Sequence, residues 1–197
     1  MVDYYSTHFQ WAECRNIEKE LVFTDIECDI EDSRTFTPNF ICCERVASDV
    51  KYYFWGISFI RDFLEHLMPW VKEKKGKLQL HILFHNFRGC DGLFVIKQRY
   101  DMNLKVSKVL TTGQKILYFE CGNLKFKDSM SFLNMPLENF TKTFDLTELK
   151  KGYFPNRFNR AENEDYEGSI PSLKFYETDC MNTKKIQPWQ KGMQRNF

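Results

Sequence analysis

The stretch Leu21 to Asp29, LVFTDIECD, constrains the fold of this 197-residue chain more than any other. Leu21, Val22, Phe23 and Thr24 favour a buried strand, and Asp25 and Glu27 then flank a single isoleucine. On a strand, residues i and i+2 point to the same face, so both carboxylates project together from the end of a hydrophobic strand. Two carboxylates held side by side repel, and a hard divalent cation such as Mg²⁺ or Mn²⁺, which takes oxygen ligands, relieves the repulsion. Taken alone, Asp-x-Glu is more often an edge strand with a solvated acidic end.

A second signal lies at His85 to Phe94, HNFRGCDGLF, directly after another strand-like run, LQLHILF from Leu78 to Phe84. Asn86, Gly89, Asp91 and Gly92 break the pattern, and Leu93, Phe94 and Ile96 resume at helical spacing. Asp91 therefore falls at a strand-to-helix junction. An acid there also satisfies free N–H groups and the helix dipole, so Asp91 by itself reads as a cap.

The length suits one domain with a sizeable core. Seven cysteines, an odd number without a Cys-x2-Cys pair, suggest neither a disulfide framework nor a zinc finger and point to a reducing compartment. No charged-then-apolar leader opens the sequence, and no run approaches the roughly twenty apolar residues that cross a bilayer. The expected location is intracellular (nuclear, cytoplasmic or viral) and neither secreted nor membrane-bound. The net charge of +1 hides an uneven distribution. Five acids crowd between Asp25 and Asp32, whereas Lys97 to Arg160 holds twelve Lys/Arg against six Asp/Glu. A basic flank beside an acidic centre suits phosphodiester cleavage, because the phosphate chain must be attracted while metals do the chemistry. It is equally a solvated lysine-rich surface.

Between these landmarks, Phe36 to Val46 and Lys51 to Trp55 read as two further strands, giving an antiparallel start. Ser58 then opens a helix whose apolar residues, from Phe59 to Val71, follow an i, i+4 stripe; Pro69 should kink or shorten it and Gly76 marks its end. Leu104 to Val109, Ile116 to Cys121 and Leu124 to Lys127 read as short strands, and Leu137 to Thr143 as a last helix. Such alternation implies a layered α/β domain.

Asp-x-Glu ending a strand, followed about sixty residues later by Asn-x4-Asp opening a helix, resembles the first two exonuclease motifs of DNA polymerases. More narrowly, it is similar to the protein-primed family B polymerases of phages, linear plasmids and Maverick/Polinton transposons. KFKDSMSFL from Lys125 and FDLTELKKGYFPNRFN from Phe144 resemble the transposon and viral branch. The resemblance runs from about Glu20 to Met181. It implies the amino-terminal 3′–5′ exonuclease domain of such a polymerase: an α/β, ribonuclease H-like mixed sheet with flanking helices of the DEDD type, incomplete at its carboxyl end. The implied organisation is a lead-in over 1–19, an exonuclease-like domain over 20–155 and a loop-rich tail over 156–197.

The resemblance also implies roles. Two Mg²⁺ or Mn²⁺ ions would be held by Asp25, Glu27 and Asp91. Asn86, Ser129 and Met130 would hold the 3′ end of single-stranded DNA, and Lys150 would approach the scissile phosphate. Two positions depart from the family pattern: Cys28 stands where a Thr is usual and Cys90 where an aromatic is usual, both facing the DNA end. The third exonuclease motif, Tyr-x3-Asp, is absent; Tyr176-x2-Asp179 has the wrong spacing. Weak metal binding and little turnover are therefore expected. The polymerase palm is missing as well, so the sequence reads as part of a polymerase whose palm would be a partner. The alternative is a domesticated, inactive transposon-derived protein that binds DNA or a protein.

Overall fold

A computed structural model describes residues 17–32, 35–46, 48, 50–73, 77–146 and 154–176. Seven strands form one mixed sheet: β1 (Glu18–Asp32), β2 (Thr35–Arg45), β3 (Val50–Trp55), β4 (Leu78–Phe84), β5 (Lys108–Thr112), β6 (Lys115–Cys121) and β7 (Leu124–Asp128), in the order β3-β2-β1-β4-β7-β6-β5. The first three strands pair antiparallel, as the sequence suggests, while β1 pairs parallel with β4 and β4 parallel with β7. Helix α1 (Phe59–Glu73) joins β3 to β4, and α2 (Asp91–Asp101) follows β4. The fold is α/β and compatible with a ribonuclease H-like exonuclease domain.

Alternation along the strands places the core on one face. Val22 and Ile26 of β1, Ile41 and Cys43 of β2, and Leu80, Ile82 and Phe84 of β4 are buried against Phe59, Phe63, Leu64 and Leu67 of α1 and Val95 of α2. At the other end of the sheet, Phe84, Phe87, Phe119 and Phe126 pack in series, with ring centroids 4.9, 5.9 and 4.5 Å apart, the first pair tilted and the other two stacked. Glu20 and Arg45 add a paired salt bridge (2.6 and 2.9 Å), with the guanidinium over the Trp70 ring. The opposite face of β1 to β3 stays open: Phe23, Asp25, Tyr53 and Trp55 are exposed.

Three expectations need correction. The strand bearing the acids is not an edge strand; β1 lies between β2 and β4. Nor does that strand end at the acids, since β1 runs on to Asp32. The strand expected over Leu104 to Val109 begins only at Lys108. Asn103 adopts a left-handed φ of 53°, its N–H bonds to Tyr100 O, and Leu104 N–H bonds to Arg99 O. That pairing closes α2 with a Schellman cap, which takes Leu104 away from any sheet ladder. No helix among the described residues is long and apolar enough to cross a membrane.

The aromatic series predicts where stability resides. Phe119→Ala should cost about 3–5 kcal/mol in urea denaturation, because a fully buried ring leaves a cavity between Phe87 and Phe126. Phe23→Ala on the open face should cost less than about 1 kcal/mol.

Candidate active site

β1 and β4 run parallel and in register from Glu18↔Leu78 to Thr24↔Phe84. The ladder stops at the carboxyl end of β4, the side on which open α/β sheets place their ligands, while β1 runs on to Asp32 paired with β2 alone. Asp25 is the next residue of β1, exposed on the open face; Glu27 follows on the same face, half-buried. A register shift between Glu27 and Cys28 marks a bulge, a device that re-aims side chains beside functional sites.

From β4 the chain turns sharply through His85–Cys90. Asn86 sits at φ 73°, in the left-handed region that Asn tolerates better than most residues. Its carbonyl accepts from Gly89 N–H (2.8 Å), and a Cβ at Gly89 would fall 2.9 Å from the Asn86 amide nitrogen. Gly92 N–H bonds to Phe87 O (3.0 Å), drawing the start of α2 against the core. Asp91 thus becomes the first residue of α2 and not its cap; that place is taken by Cys90, whose side chain caps nothing.

The turn brings Asp91 into the field of the β1 acids. Its carboxyl is pushed up to about 7, first by burial, then by the charges of Asp25, Glu27 and Asp128. The same field acts on neighbouring thiols. Cys28 is pushed up to about 12 by burial, then by Asp91, Cys90, Glu27 and Asp25; Cys42, opposite Asp25 on β2, is raised by burial, Asp25 and Glu27. Cys28, Cys90 and the three acids therefore form one neighbourhood. Among the described residues, however, no three His, Cys, Asp or Glu side chains converge tightly enough to grip an ion. In donor chemistry the acids fit a hard divalent cation: all are carboxylates, and their mutual repulsion is what such an ion neutralises.

Ser129 and Met130 follow β7, whose last residue, Asp128, pairs with Phe84. Three side chains whose roles the sequence does not reveal, Asp128, Arg88 and His85, hold this turn. Asp128 is fully buried, paired with the Arg88 guanidinium, and accepts from the N–H groups of Arg88 (3.2 Å) and Met130 (2.9 Å). Arg88 also donates to Ser131 (2.9 Å). His85 Nε2 lies 3.0 Å from the Met135 carbonyl, which only accepts, so that nitrogen carries the proton; in the neutral ring Nδ1 then accepts from the Ser129 hydroxyl at 2.9 Å. The Asn86 and Ser129 turns are thereby locked together. The sequence signal was an Asp directly before Ser at a strand end, the pattern of a side chain that bonds its own backbone two residues on. Lys150 lies outside the described residues.

A groove of about 610 Å³ runs along the open face from Asp25, floored by Phe23, Cys42 and Tyr53 and walled by Ser129, Leu133 and Phe140. The domain is a mixed α/β sheet with Asp25 and Glu27 of β1 facing the turn that follows β4. The family model of DNA polymerase type B, organellar and viral, matches residues 72–196, well over half of the chain. The chain belongs to that family. The matched region contains Asn86, Asp91 and Ser129 and begins after Asp25 and Glu27. A comparison with curated proteins finds no match.

Two outcomes follow from this geometry. A carboxyl raised in the folded state binds more protons there than in the unfolded chain, so its contribution to stability is full below about pH 4 and is lost as pH rises to about 7. Asp91→Asn should flatten that part of a thermal-melting profile and be the more stable form at pH 8. Asp128→Ala should cost about 3–5 kcal/mol in denaturant titrations, because it strands the Arg88 charge.

Proposed function

We propose that this chain acts as the 3′–5′ exonuclease domain of a protein-primed type B DNA polymerase, on the 3′ end of single-stranded DNA. The observation that carries the reading is geometric: Asp25 and Glu27 lie on one face of β1 just past its parallel pairing with β4, beside the turn from β4 that carries Asp91. Membership of the polymerase family supports it. Asp25, Glu27 and Asp91 would hold Mg²⁺ or Mn²⁺. Two such ions would supply activation of water and stabilisation of the leaving oxygen in an in-line displacement. The phosphorus gains the water oxygen and loses the 3′-oxygen of the neighbouring nucleotide, which takes up a proton, and a nucleoside monophosphate is released.

The chain's own groups position the substrate. Asn86 presents its amide from a fixed turn, and Ser129, its proton committed to His85, offers oxygen lone pairs to a donor on the terminal nucleotide. Met130 adds an apolar contact beside it. Lys150 would neutralise the scissile phosphate. Cys28 and Cys90 are smaller than the usual residues at their positions and grip the DNA end less, since stacking on an aromatic ring is worth roughly 1–3 kcal/mol.

A second reading, an inactive relic that binds DNA or a protein, is favoured by one observation, the absence of Tyr-x3-Asp from the sequence. A missing acid and a missing water-orienting group both strike the step in which water attacks; an orienting group alone contributes typically 10²–10⁴-fold. The test uses 5′-labelled single-stranded DNA with Mn²⁺. Mn²⁺ should tighten DNA binding to the wild type and not to Asp25→Ala, while trimming stays near background. Equal Mn²⁺-dependent binding by both forms overturns the exonuclease assignment. Robust trimming that Asp25→Ala abolishes keeps it and overturns the expectation of low turnover.

A further inference from the structure

The open face of β1 to β3 is built of rows of directly paired residues: Asp25, Cys42 and Tyr53 form one row and Glu27, Phe40 and Trp55 the next. The first row belongs to the groove beside Asp25. The second row leads into a separate groove of about 990 Å³, walled by Phe154, Pro155, Phe158 and Tyr166 of the returning segment. Phe40, which stacks on Tyr53 (6.2 Å) and tilts against Phe154 (5.7 Å), divides the two. Glu27 is paired with Phe40, and Phe40 with Trp55, so the second groove begins one strand away from Glu27 and offers a strand at the acids a path beside the first groove.

We propose that this second groove binds bases of single-stranded DNA next to the link cut at the acids, with Trp55 and Tyr166 as the stacking rings; the proposal rests on the exonuclease reading. Trp55 is 54% exposed and Tyr166 49% exposed, although both rings line a concave site. Exposed rings in a groove suit bases, because every base has a π-face whatever its sequence. Neighbouring strands lie about 4.8 Å apart, so Trp55 stands two strands, or about 10 Å, from the line of Glu27. The wall is fixed rather than draped: Asn159 donates to the Asn39 side chain (2.6 Å) and Asn39 donates to the Asn159 carbonyl (3.1 Å). Phe158 packs edge-on against Tyr166 (4.8 Å), which sets the angle of that ring. The rim mixes charges, Arg160 with Glu162 and Glu164. Recognition there depends on bases more than on phosphates, and its salt dependence is shallow.

The test compares labelled hexathymidylate with an abasic strand of equal phosphate number, by fluorescence anisotropy on the full chain in EDTA. The wild type should prefer the strand with bases by about tenfold, a preference that Trp55→Ala and Tyr166→Ala reduce severalfold and Trp55→Phe largely keeps. Melting temperatures establish that each variant is folded. Equal affinity of the wild type for both strands overturns the proposal, as does a folded Trp55→Ala that keeps the preference; the groove is then a seat for a protein partner. EDTA removes the metal, so failure of Mn²⁺-dependent binding counts against the exonuclease reading and leaves this measurement standing.

Discussion

The parallel pairing of β1 with β4 is the constraint on which the rest depends. A parallel pair needs a crossover, here β2, β3 and α1, and the crossover covers one face of the sheet while leaving the other open. It also brings the end of β4 beside the acids of β1 without further help. The acids of β1 and the turn after β4 are neighbours because Thr24 is paired with Phe84, not because any contact between them is favourable. Placing like charges together costs stability, and together with burial, the larger cause, it raises the Asp91 carboxyl.

What opposes the repulsion is built around the acids rather than among them. Arg88, a positive charge in the turn after β4, is committed to Asp128 and Ser131. The phenylalanine series beneath β4 and β7 holds the strand ends level, and Gly92 lets α2 start so close to the core that an added Cβ would lie 3.0 Å from Phe87 O. The site's electrostatic tension is thus borne by packing on the covered face, a division of labour common where function requires an unfavourable local arrangement.

Much of this was legible in the sequence. The apolar run opening LVFTDIECD and the alternation in LQLHILF identify strands, and the Asn-x4-Asp string identifies the turn and helix start, because these signals are local. Parallel pairing is not local, and so Asp-x-Glu also fitted an edge strand. The same limit hid the roles of His85, Arg88 and Asp128, whose partners lie between 40 and 50 residues away in sequence. The displaced β5 has another cause. All its residues are exposed, so no alternation marks it, and the Asn103 cap consumes the residues where hydrophobicity alone begins a strand.

The left-handed backbone at Asn86 narrows what evolution can do at that position. Glycine would meet the conformational requirement but remove the amide; β-branched residues would keep bulk but resist the φ of 73°. Aspartate tolerates the backbone, yet it would add one more negative charge to a neighbourhood where Asp91 already resists ionisation. Asparagine is the residue that satisfies geometry, chemistry and charge at once, so a drifting copy of this gene should lose the cysteines beside the acids long before it loses Asn86.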